Sequence, residues 1–172
     1  MLKLRKNKKG FTLVELIVVI AIMAVLAGVV AGVTVSQLNK QTDKTGATQA
    51  NTVASFISEC ALTGDEPATQ IVKSTSVTEG DTTTDKNVFI VKKVKDLITA
   101  QYTAASIPVE NTTNNTIGNT KGQVYITFGN VTGTGDDATA DTVIVTYKPK
   151  ASGTKTTTFT INADGVVTKS EA

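Results

Sequence analysis

Lys9-Gly10-Phe11-Thr12-Leu13-Val14-Glu15-Leu16-Ile17-Val18-Val19-Ile20-Ala21-Ile22-Met23-Ala24-Val25-Leu26-Ala27-Gly28-Val29-Val30-Ala31-Gly32-Val33-Thr34-Val35 is the stretch that governs how this chain folds. From Leu16 to Val33 it holds no charged or strongly polar residue. As a helix, Phe11 to Val35 spans about 37 Å at 1.5 Å per residue, enough to cross a bilayer core of about 30 Å. Upstream lie Lys3, Arg5, Lys6, Lys8 and Lys9 with no acid among them. Such a basic cluster stays on the cytoplasmic side, so the remainder faces outward. Three readings compete: a secretory signal peptide cut after the apolar run, a plain single-pass anchor, and a leader cut before the apolar run. Glu15 weighs against the first. A carboxylate at the start of an apolar signal region is a defect there, and inside lipid it is costly unless it has a partner or a task.

Composition narrows the rest. Of the 17 Lys and Arg in 172 residues, five lie in the first ten positions, which leaves 12 bases against 15 acids and no bulk positive charge to attract nucleic acid. Aromatic residues make up 5%, so any core must be built from Val, Ile, Leu and Ala. The absence of His excludes His-based metal sites and His-based triads. The single cysteine, Cys60, excludes an internal disulfide and is expected as a small residue on a packed helix face. No phosphate-binding glycine loop, paired catalytic acids or nucleophile constellation is present, so no catalytic residue, cofactor or metal is assigned and the chain is not expected to be an enzyme.

The segment Lys9-Gly10-Phe11-Thr12-Leu13-Val14-Glu15, followed by the apolar run, resembles the processing site of type IV pilins and pseudopilins. The resemblance covers about the first 35 residues. It implies that prepilin peptidase cuts between Gly10 and Phe11, that the same enzyme methylates the new amine of Phe11, and that Glu15 is the acid needed for filament assembly. It also implies a cytoplasmic-membrane precursor, an assembly platform protein as partner, and other copies of the chain in a helical filament. The physical logic agrees: cleavage creates an ammonium on Phe11, and a Glu15 carboxylate in a filament core can pair with that charge on a neighbour. Ala24, Gly28 and Gly32, spaced by four, form a small-residue row of the kind that lets helices approach closely. Two departures from many pilins are visible: the apolar run has no proline, and the C-terminal region has no cysteine pair.

The domain reading follows: 1–10 leader, 11–35 transmembrane and filament-core helix, 36–63 amphipathic continuation, 64–172 globular head. Leu38, Ala47, Ala50, Val53, Ala54, Ile57 and Ala61 recur at helical spacing. One helix is therefore expected from Phe11 to about Thr63, stopped by Gly64-Asp65-Glu66-Pro67, with Gly46 a candidate bend. The Thr-rich residues 64–84 read as a loop. Val88–Tyr102 reads as a short helix that starts with strand character. Pro108 and residues 111–120 read as loop. Period-two alternation predicts strands near 123–128, 142–148, 155–161 and 166–169, with a turn at Asn162-Ala163-Asp164-Gly165. The fold class expected is α+β: a type IV pilin fold, with a long N-terminal helix packed on an antiparallel sheet of about four strands. Asn111, Asn114 and Asn130 open Asn-x-Thr triplets, and Asp136, Asp137 and Asp164 are read as turn acids, a weak basis for a calcium site.

The function expected is structural: a subunit of an extracellular type IV pilus serving adhesion, aggregation or twitching motility. The alternatives are a pseudopilin of a type II secretion or competence DNA-uptake system, and a membrane-anchored surface binding module. Glu15 disfavours the last, since a simple anchor has no use for it.

Overall fold

Helix α1 runs from Leu13 to Thr63 without interruption. It belongs to a computed structural model that describes residues 10–63, 70–79, 81–102, 107, 120–151 and 153–172. The leader before Gly10, the stop signal at Gly64–Pro67, the loop at 111–119 with Pro108, and the triplets at Asn111 and Asn114 lie outside the described residues. The chain divides into two compact units, Met1–Asn39 and Lys40–Ala172.

Within the second unit, α1 buries Asp43, Gly46, Ala50, Val53, Ala54, Ile57 and Cys60. All but the adjacent pair Val53 and Ala54 recur every three or four positions, and so they form one stripe. Four of the seven are Gly, Ala or Cys, which lets the helix backbone sit close to what it covers. Leu38, expected on the stripe, is 57% exposed and lies in the other unit.

The stripe packs on an antiparallel sheet of six strands, arranged β1-β2-β4-β5-β6 with β3 also on β4. The strands are β1 (Val72–Glu79), β2 (Thr82–Ile90), β3 (Gln123–Thr132), β4 (Thr139–Lys148), β5 (Thr157–Asn162) and β6 (Val167–Glu171). Register aligns Ile126 with Val145 and Val145 with Phe159, and Phe128 with Val143 and Val143 with Ile161. These cross-strand rows are the apolar face, and together with Ala50, Val53, Ala54, Ile57 and Cys60 they make the core. Cys60 is buried and free, as its place on a packed face requires. Burying each Ile, Phe or Val fully contributes about 1.5–3 kcal/mol, so this Val- and Ile-rich set suffices despite the scarcity of aromatics.

Helix α2 (Val91–Gln101) starts where β2 ends and buries Val91, Val94 and Ile98. Its C-terminal end meets α1 through Phe56 and Tyr102, whose rings stand edge to face at 5.9 Å.

The four C-terminal strands fall where alternation places them. The loop expected over 64–84 is corrected: Val72–Glu79 and Thr82–Ile90 pair in full register as a hairpin, which raises the strand count from about four to six. Apolar residues are buried only at its foot, at Ile71, Val88 and Phe89, so alternation along the arm is faint. Threonine tolerates the extended backbone, and hydroxyls bond across the arm, Ser76 Oγ to Asp85 Oδ1 at 2.7 Å and Thr78 with Thr83 at 3.1 Å. The helix expected over Val88–Tyr102 is shorter by its first three residues, which complete β2.

Candidate functional site

The first turn of α1 explains itself from sequence. Thr12 Oγ1 accepts from Glu15 N at 3.3 Å, and Glu15 Oε2 accepts from Thr12 N and Thr12 Oγ1, both at 2.9 Å. This is a reciprocal capping box, which satisfies orphan donors at a helix start. Its signature, Thr-x-x-Glu ahead of an apolar run, is readable in the sequence, although Glu15 is singled out there for its charge and its place in the processing motif and not as a cap. Both bonds use Oε2; Oε1 has no hydrogen-bond partner among the described residues. One carboxylate oxygen thus orients the side chain, and the other meets no donor among the described residues. Phe11 beside it is 92% exposed, and Gly10 is exposed with nothing within 4 Å of where a Cβ would stand.

Beyond Glu15 the apolar side chains are uncovered: Leu16, Ile20, Met23, Leu26, Val29 and Val33 are each more than half exposed. The helix is long and apolar enough to cross a membrane. An apolar surface of this extent calls for lipid or protein to cover it. A Cβ added at Gly28 or Gly32 would meet nothing within 4 Å, so neither glycine makes a close contact among the described residues.

In the folded head, α1 is fixed by a residue that sequence reasoning passed over. Asp43 is buried, with 5% of its surface exposed. Its Oδ1 accepts from the Tyr147 hydroxyl at 2.8 Å and from Lys150 N at 2.6 Å, and its Oδ2 accepts from Ala151 N at 2.9 Å. Burial pushes the Asp43 carboxyl up; the N–H groups of Lys150 and Ala151, the Tyr147 hydroxyl and the Lys150 charge outweigh it and hold the pKa below the usual range. Burial, then the facing Asp43 carboxylate, push the Tyr147 hydroxyl well above its usual value. Gly46 lies one turn on from Asp43, and a Cβ there would fall onto the Tyr147 ring. Gly46 therefore serves close packing, within a helix that continues through it.

The remaining sequence candidates separate. Asp136 pairs with Lys92 at 2.6 Å, and Asp164 accepts from Asn87 Nδ2 at 2.9 Å. No group of three or more His, Cys, Asp or Glu placed to hold a metal occurs among the described residues. Asn130 is exposed in a left-handed conformation, and its side-chain amide donates to Asp141 at 3.2 Å.

Residues 5–31 match a family model described as a prokaryotic N-terminal methylation motif. No curated protein and no solved structure matches the chain. The motif is the class III signal peptide of type IV pilins, and it indicates a pilin- or pseudopilin-like precursor. It implies processing by prepilin peptidase and assembly into pilus-like filaments, and with the apolar helix it fits a membrane-anchored precursor. The helix-on-sheet α+β architecture fits the pilin fold.

Proposed function

We propose that this chain is the precursor of a structural subunit of an extracellular type IV pilus. Prepilin peptidase cuts between Gly10 and Phe11 and methylates the Phe11 amine. The subunit then leaves the bilayer through an assembly platform and joins other copies of itself. In the filament the Phe11 ammonium of one subunit meets the Glu15 carboxylate of another, which sets the axial register of neighbouring helices. The row Ala24, Gly28 and Gly32 gives the close approach between them. Adhesion, aggregation or twitching motility are the tasks such a filament would serve.

One observation carries this reading: the methylation motif heads an apolar helix whose Glu15, with one carboxylate oxygen unengaged among the described residues, lies four residues from the one that processing would make N-terminal. The test is mass spectrometry of sheared surface filaments for N-methyl-Phe11, joined to electron microscopy of a Glu15→Val strain. The variant is expected to be clipped yet to form no filaments. Abundant filaments of normal length from Glu15→Val would remove its docking role. A processed chain found only in short structures that do not shear from the cell would favour a pseudopilin of a secretion or DNA-uptake machine instead.

A further inference from the structure

We propose that the recess between α1 and the β4–β5 connection binds the phosphate headgroups of anionic phospholipid in the membrane that holds the precursor. The inference rests on reading the apolar half of α1 as a membrane anchor. The recess holds about 350 Å³ and is lined by Lys40, Lys44, Lys155, Tyr147, Thr154 and Thr157, with Asp43 also in its wall. Lys40, Lys44 and Lys155 are all exposed. None of the three makes an ion pair among the described residues, whereas Lys86, Lys92 and Lys169 each hold a carboxylate at 2.8 Å or closer.

Charge in the recess is one-sided. Asp43 is its one lining carboxylate among the described residues, and both its oxygens are engaged by Tyr147, Lys150 and Ala151. The Glu171 carboxylate, which feels Lys155, is held by Lys169 at 2.6 Å. Three exposed lysines thus stand around an opening whose wall is mostly apolar and whose one lining carboxylate is already engaged; their stems line the wall, and their ammonium groups supply the donors a phosphodiester needs at its rim.

Chain length alone limits how far Lys40 can stand from the lipid. Lys40 follows Val35, the end of the apolar run, by five residues. Five residues reach at most about 18 Å even when fully extended, and the lysine stems reach back further toward an interface. Lys40, which lines the recess, is thereby kept within reach of the headgroup layer on the outward side. Basic side chains held at that height select anionic over zwitterionic lipid. An acidic surface on another copy of the chain is the competing occupant, and it is absent from the assay below.

The assay uses the full chain, one copy per nanodisc of mixed phosphatidylcholine and phosphatidylglycerol, with Cys60→Ala and a fluorophore on Thr48→Cys, one turn past Lys44 and outside the recess. Headgroup-spin-labelled phosphatidylglycerol is expected to quench about twofold more than the same label on phosphatidylcholine, and about 1 M salt should remove the difference. Lys40→Gln, Lys44→Gln and Lys155→Gln together should bring the ratio to one, and arginine at the same three positions should restore it. Equal quenching by the two lipids in the parent chain, or an unchanged ratio in the glutamine variant, overturns the proposal. Co-elution with the nanodisc reports the anchor separately. A chain that fails to co-elute defeats the anchor reading and this inference with it; a co-eluting chain with equal quenching defeats this inference alone.

Discussion

Replacing Asp43 with Ala should destabilise the folded head by about 2–4 kcal/mol, because three donors converge on one carboxylate. A buried hydrogen bond to a charged acceptor is worth about 1.5–3 kcal/mol. Three full contributions overstate the loss here. Lys150 is exposed and Ala151 half-buried, so water can take over part of their two N–H groups. The Tyr147 hydroxyl is less fortunate: its residue is 1% exposed, and its other acceptor, the Thr42 carbonyl, lies at 3.4 Å. Removing the carboxylate also removes its own desolvation cost, which lowers the net further.

Asp43→Asn is the sharper variant. An Asn carbonyl in place of Oδ1 keeps the bonds from Tyr147 and Lys150, but its amide then faces the N–H of Ala151, donor against donor. The expected cost is about 1–2 kcal/mol. Urea titration of the full chain in detergent micelles, followed by tyrosine fluorescence, reads both. With a slope of about 1–3 kcal/mol per molar urea, Asp43→Ala should lower the midpoint by about 1–2 M. The pH dependence follows from the depressed pKa of Asp43 in the folded state. A carboxylate of this kind stabilises above its unfolded pKa, about 3.9, and the contribution is lost as pH falls through the folded value. The gap between the parent and Asp43→Asn should hold level from about pH 5 upward and close in stronger acid. A gap under about 0.5 kcal/mol at neutral pH, or one that persists undiminished at pH 2, would refute the clasp.

Gly46→Ala gains about 1 kcal/mol of helix propensity but sets a methyl group against the Tyr147 ring, and overpacking of about 1–3 kcal/mol should cancel or exceed that gain in the same titration; a raised midpoint would contradict the packing role. Gly10→Leu should leave the precursor at full mass in the membrane fraction by intact mass spectrometry; a product that begins at Phe11 would refute the cleavage assignment.

Local pattern made much of this fold legible. The apolar run and the amphipathic stripe read as far as Ala61 need only helical spacing to be seen, and they return as one helix whose buried face includes Ala50, Val53, Ala54 and Ile57. Strands β3 to β6 follow from alternation, since Val124, Ile126 and Phe128 point one way whatever lies opposite. The β1–β2 hairpin escaped because its outer half buries nothing; threonine hydroxyls and a short apolar foot hold it, and neither leaves a period in the sequence.

The sequence alone determined the parts whose physics is local: a basic cluster ahead of an apolar helix, a glutamate at its first turn, and strands written in period two. Tertiary structure alone decided that Asp43 is a clasp and that Gly46 makes room for a ring. Asp43 and its Tyr147 partner lie 104 residues apart. Nothing in the neighbourhood of an acid on a polar-looking helix face reveals that a distant strand will deliver a hydroxyl to it and the residues just past that strand two amides. Such contacts are fixed by how α1 and β4 come together, which depends on the whole packed core.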